Sequence, residues 1–153
     1  VPAFYIHSLL GTRNDLERLA HTSHNRSINR HQWEQSALSR ALDCSASDHH
    51  AVFEALKHLI GLRKAQPAFH PNATQFTLHL GDELFGFWRQ SLDHRQSLFC
   101  VHNLTHQEQV LPLSRLNLMV NHRWRELISG APVEKELPEW TLAPYQTLWI
   151  TNG

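Results

Sequence analysis

The sequence predicts an α+β chain, with a strand, a long polar loop and helices over residues 1–71 and a small antiparallel β domain over residues 72–153. Three observations carry this reading. Val52, Phe53, Leu56, Leu59 and Ile60 recur at the spacing of one helical face. From Gln75 onward the period changes to alternation, in short aromatic-rich runs parted by turn residues. Between the two patterns stands the breaker-rich stretch "PAFHPNA".

Taken in order, the opening run "AFYIHSLL" lacks clean alternation and fits a strand buried on both faces, expected at residues 3–7. The segment "GTRNDLERLAHTSHNRSINRHQW" is polar from end to end, with Gly11, Asn14, Asp15, Asn25 and Asn29 as turn formers. It reads as a long irregular loop with one helical turn at residues 15–20. Loops longer than about 12 to 15 residues are commonly functional, and this one concentrates Arg, Asn and His. A weaker helix is expected from Trp33 to Leu42. The main helix covers residues 48–64, with Ser45 and Ser47 as N-cap candidates, Asp48 in the first turn, cations toward its end and Pro67 beyond it. In the second part, "QFTLHL", "ELFGFWR" and "SLFCVHNL" read as an antiparallel meander. "EQVLPL", "RWRELISG" and "QTLWITN" supply further short strands, with Pro112 pushing its strand toward an edge or bulge.

Composition narrows the function classes. Fourteen Lys plus Arg balance fourteen Asp plus Glu, so there is no basic field for a nucleic-acid backbone. No apolar run approaches the ~20 residues that cross a bilayer, and 41% hydrophobic residues are enough for a core. Cys44 and Cys100 form no CxxC pair and are expected as free thiols in a cytoplasmic protein. The thirteen histidines make the charge depend on pH. Met119 is the only methionine, so the chain starting at Val1 is expected to be a piece of a longer protein.

The pairs His21 with His24, His49 with His50 and His102 with His106 tempt a metal reading, but no HExxH or Cys/carboxylate cluster completes a ligand set. No metal and no cofactor are expected. GxSxG, GxGxxG and Walker patterns are also missing. Trp88 and Trp149 sit inside strand patterns, where burial is expected rather than a sugar-stacking platform. Polar function is therefore sought in the loop from His7 to Arg30.

The strings "VPAFYIHSLLGTRNDLE", "NRSINRHQW", "LRKAQPAFHPNA" and "LAPYQTLWITN", in this order over nearly the whole chain, resemble the C-terminal end of the sucrose phosphorylase subfamily of the α-amylase superfamily, which includes glucosylglycerate phosphorylases. The resemblance implies an α+β fragment: the last strand, loop and helix of a (β/α)8 barrel, then a small C-terminal antiparallel β-sandwich domain. Active sites of such barrels lie at the C-terminal ends of the strands, so the loop would face the substrate. By resemblance, "INRH" lies near the acceptor subsite, where phosphate or the leaving sugar binds. Arg30 matches the arginine of that motif, and a guanidinium suits oxyanions. Asn29 belongs to the same motif, and His7, Arg13, Asn14 and Asp15 are further substrate-binding candidates near the same mouth.

The family's chemistry is retaining, with carboxylate nucleophile and acid on earlier strands. The resemblance thus implies no catalytic residue in this chain, which would be inactive alone. The implied partners are a sugar or glycosyl phosphate substrate, inorganic phosphate and the N-terminal part of the same polypeptide, with neither nucleic acid nor membrane. A carbohydrate-binding β module with a helical appendage and a purely structural domain are the alternatives.

Overall fold

The structure, a computed structural model, describes residues 3–119, 123–134 and 137–153. Val1 and Pro2 of the opening motif lie outside the described residues. Two compact units meet in sequence at Gly61 and Leu62.

The first unit contains α1 (Ile6–Leu9), α2 (Leu16–Thr22), a 3-10 turn (Asn25–Asn29), α3 (Gln35–Asp43) and most of α4 (Asp48–Lys64). The strand expected at residues 3–7 is not formed. Residues 3–5 carry no regular structure, Ile6 begins a helical turn, and Phe4, Tyr5 and Ile6 are 51, 51 and 53% exposed. A strand needs lateral partners for its amides and carbonyls, and this unit has no strand among its described residues. A helical turn closes its bonds locally instead, Leu9 N to Tyr5 O at 3.1 Å and Leu10 N to Ile6 O at 3.0 Å.

The main helix has its expected bounds. Ser47 caps it, its Oγ accepting from the His49 amide at 3.1 Å. Its apolar face is not a core face: Phe53, Leu56, Leu59 and Ile60 are half-buried, and Val52 is exposed. Periodicity reports which side of a helix is apolar, while burial requires a second surface. Gly11 is fixed by two demands at once, a left-handed φ of 61° and Val52, whose Cβ would lie 3.1 Å from an added Cβ. The His50 Nδ1 pairs with the Leu42 carbonyl in the last turn of α3 at 2.6 Å.

The second unit is the antiparallel β domain. Its strands are β1 (Thr74–His79), β2 (Leu84–Gln90), β3 (Ser97–Asn103), β4 (Gln109–Pro112), β5 (Trp124–Glu126), β6 (Pro132–Val133), β7 (Glu139–Leu142) and β8 (Thr147–Thr151). One sheet runs β1-β2-β3-β8-β5-β6, and β4 pairs with β7 in a second. Pro112 ends β4, a strand with a single neighbour, as its missing amide requires.

Core residues from both sheets meet: Leu111 and Leu142 pack with Phe99, Val101, Leu148 and Ile150. On this side Phe76, Trp88 and Phe99 stand in register on adjacent strands, their rings stacked at 5.0 and 5.8 Å. Phe76, at the sheet edge, stays 47% exposed. The opposite face buries Ala68, Phe69, Leu98, Cys100 and Leu127, with Leu62 and a half-buried Trp149 against them.

Polar staples tie this unit together. Arg89 Nε donates to Ala68 O at 2.7 Å and its Nη2 to His70 O at 2.7 Å, strapping "PAFHPNA" to the sheet. Gln96 accepts from the Ala68 amide at 2.9 Å and donates to Thr151 Oγ1 at 3.2 Å. Asn103, 2% exposed, donates to the carbonyls of Gln107 and Ala143 at 2.7 and 2.9 Å. Glu126, 4% exposed, accepts backbone amides of Ile128 and Trp149, both at 3.0 Å, and of Ser129.

Candidate functional site

Two concavities open on the loop of the first unit. The first, about 360 Å³, is lined by Arg13, Asn14, Asp15, His31, Trp33 and His49 among others. The second, about 380 Å³, is lined by Arg18, His24, Asn25, Arg26, Ser27 and Arg30.

Asp15 organises the ground between them. Its Oδ1 caps α2 by accepting from the Arg18 amide at 2.8 Å, its Oδ2 pairs with His31 Nδ1 at 2.9 Å, and its amide donates to Ile28 O at 2.6 Å. The Arg18 amide first, then His31, hold the Asp15 carboxyl below the usual carboxylate range. Its oxygens thus hold the loop together. His31 and His49 each meet the Trp33 ring edge to face, at 4.9 and 5.0 Å. Trp33 Nε1 donates to Thr12 Oγ1 at 2.9 Å.

The sequence-derived candidates divide between these places. Arg13, Asn14 and Asp15 line the first concavity, and Arg13 Nη2 donates to Asp48 Oδ2 at 2.8 Å in an exposed pair. His7 lines neither; its Nδ1 meets Thr12 Oγ1 at 3.3 Å and its ring meets Tyr5 at 5.3 Å. Asn29 accepts through its backbone carbonyl from the Tyr5 hydroxyl at 2.9 Å. Arg30 lines the second concavity, exposed, and its guanidinium has no hydrogen-bond partner among the described residues.

Residue-by-residue reading passed over Arg18, Arg26 and His31, and named His49 only in a discarded metal pair and Trp33 only at a helix start. Arg18 and Arg26 are brought together by a reversal at Ser23, which a serine does not announce in the sequence. Its left-handed φ of 53° ends α2 and returns the chain into the 3-10 turn, where Thr22 Oγ1 and Ser27 Oγ meet at 2.6 Å. No group of three or more His, Cys, Asp or Glu side chains able to hold a metal occurs among the described residues.

No protein-family model matches the chain. It is 31% identical over 99% of its length to a glucosylglycerate phosphorylase from Spirochaeta thermophila, of which it covers 27%. The glucosylglycerate phosphorylase of Escherichia coli K12 is 32% identical over 98% of the chain, with 25% of the relative covered. The chain's relatives are glucosylglycerate phosphorylases. A third, from Allomeiothermus silvanus, is 33% identical, and the chain spans about a quarter of the length of these curated relatives.

Solved structures agree on the fold. A crystal structure of AmyP with maltotriose aligns over 79% of this chain and 28% of that one, with a TM-score of 0.58 at 14% identity. The Bacillus licheniformis trehalose-6-phosphate hydrolase TreA aligns over 74% of this chain and 20% of its own, with a TM-score of 0.55 at 20% identity. At these identities the alignments show a shared fold, an α+β chain that carries an antiparallel sheet.

Proposed function

We propose that this chain is the C-terminal part of a retaining α-glucoside phosphorylase, in which residues 1–71 complete a (β/α)8 barrel and residues 72–153 form a stabilising β domain. The observation that carries the reading is similarity over 98–99% of the chain to three glucosylglycerate phosphorylases. In such a reaction a carboxylate attacks the glucosyl carbon, a carboxylic acid protonates the departing oxygen, and phosphate takes the glucosyl group from the covalent intermediate. Those carboxylates would come from an N-terminal part of the polypeptide, so the chain alone is inactive. Its loop supplies the acceptor and phosphate site through Arg30, with His7, Arg13, Asn14, Asp15 and Asn29 shaping the mouth. The enzyme acts on a sugar or glycosyl phosphate in the cytoplasm.

The test is Arg30→Ala in the intact protein, followed through two half-reactions and the melting temperature. The guanidinium forms no hydrogen bond with a described residue, so stability stays unchanged. Glucosyl-enzyme formation from a donor with a small leaving group stays near normal, while transfer to phosphate falls about 10-fold to 150-fold, the weight of a charge-assisted contact. Arg30→Lys restores part of the loss. A lowered melting temperature with equal loss in both steps refutes the role.

A second reading, a carbohydrate-binding β module, draws on the exposed ring of Phe85 beside Phe87 and His102, at 5.9 Å from each. Oligosaccharide affinity of the chain that is lost in Phe85→Ala would favour it.

A further inference from the structure

Three arginines from two separate elements, Arg18 on α2 and Arg26 and Arg30 on and after the 3-10 turn, line one concavity that no carboxylate lines. We infer that this concavity binds a phosphoryl group, with Arg18 and Arg26 as partners of Arg30. The inference deepens the proposed function and rests on it for Arg30 alone; Arg18 and Arg26 enter through geometry.

Arg13 pairs with Asp48, Arg89 with the carbonyls of Ala68 and His70, and Arg125 with the Gly153 carbonyl. The guanidiniums of Arg18, Arg26 and Arg30 form no hydrogen bond with a described residue. Asp15 feels the Arg18 charge, yet its oxygens are spent on the Arg18 amide and on His31. Gathering three like charges around one concavity, with the nearby carboxylate engaged elsewhere, costs free energy that a bound anion recovers.

The backbone beneath the three is fastened before any ligand arrives. Asp15 caps α2 and its amide donates to Ile28 O, while Thr22 and Ser27 join across the reversal. Positions on α2 and on the 3-10 turn are thereby set against each other, and only side-chain ordering is left to ligand binding.

Ligand class follows from donor geometry. Each guanidinium offers a planar fork that matches two oxygens. A carboxylate has two oxygens and one charge, too few for three forks. A phosphoryl group brings at least three oxygens and nearly two charges. Free inorganic phosphate and a sugar phosphate share this chemistry.

Calorimetric titration of the 153-residue chain with inorganic phosphate, at low ionic strength in chloride buffer, tests the site. Saturable binding is expected, weakened about 10-fold in Arg18→Gln and in Arg26→Gln and unchanged in Arg95→Gln, an exposed arginine of the second unit. Arg18→Lys falls between. Should Arg18→Gln lose helix signal in circular dichroism, Arg26→Gln on the exposed turn carries the comparison. Glucose 1-phosphate assigns the source: tighter binding than phosphate means a sugar phosphate, weaker means the free anion.

Absence of saturable binding, equal weakening by Arg95→Gln, or tighter binding of glycerate than of phosphate overturns the inference. An intact enzyme in which Arg30→Ala impairs phosphate transfer while Arg18→Gln and Arg26→Gln do not keeps the proposed function and ends this inference. Arginine-dependent phosphate binding in a protein with no phosphorolytic turnover does the reverse.

Discussion

Replacing Glu126 with alanine should be among the costliest single changes in the β domain. Beyond the Glu126–Ile150 pair the Leu127 amide still donates to the Trp149 carbonyl, and the Glu126 carboxylate accepts the Trp149 amide. The same group accepts the amides of Ile128 and Ser129 in the turn that follows. Ser129 is exposed and can exchange its partner for water, whereas Ile128 and Trp149 are half-buried and cannot do so freely. Two charge-assisted bonds at about 1.5 to 3 kcal/mol each give an expected loss of about 3 to 6 kcal/mol. Glu126→Gln keeps the volume and one acceptor but turns an amide group toward a backbone N–H, for about half that loss. Urea unfolding followed by tryptophan fluorescence measures both. The slope with denaturant should not change, because the surface exposed on unfolding is the same. A loss below about 1 kcal/mol for Glu126→Ala would refute the staple.

Four further outcomes are expected. Burial holds the His102 imidazole below its ordinary value, so the unfolded chain takes the proton first; its contribution is full above pH ~6.5 and falls as pH drops from there toward the folded value. Stability of the native chain should therefore decline more steeply over that interval than that of His102→Gln. Gly11→Ala should cost the first unit about 1 to 2 kcal/mol, through the left-handed φ and the Val52 contact, read as faster hydrogen exchange at residues 10–12. A thiol reagent should modify exposed Cys44 and leave Cys100, whose thiol is buried and pushed up, until the chain unfolds. Amides of residues 3–10 should exchange quickly and those of β3 slowly, since β3 lies between two neighbours and buries Leu98 through Val101.

The sequence made the β domain legible because each strand there carries its own signal. Alternation in "QFTLHL", the "GD" turn and the aromatic runs are local facts, and the structure returns β1, β2 and β3 close to where they predict. β6 and β7 went unread, being short and weakly patterned. The opening strand failed for the opposite reason: "AFYIH" has strand composition, yet a strand is a property of its neighbours, and the described residues of the first unit supply none. The loop was legible as a place rich in Arg, Asn and His. Which arginines share a concavity depends on a reversal at Ser23, a residue type that seldom adopts a left-handed φ.

The environment of Asn103 bears on how the protein ages. Asparagine is lost over time when the following backbone nitrogen attacks its side-chain amide, a step that needs the side chain free to turn. Here Nδ2 is tethered to the carbonyls of Gln107 and Ala143, and Oδ1 accepts from the Thr105 amide and hydroxyl, both at 2.9 Å. The attack geometry is out of reach while the fold persists. If deamidation did occur, the aspartate formed would set a negative charge against two carbonyl oxygens with no hydrogen left to offer them. Damage at this site is thus coupled to unfolding: an intact domain keeps its asparagine, and a domain that opens long enough to lose it cannot close in the same way again.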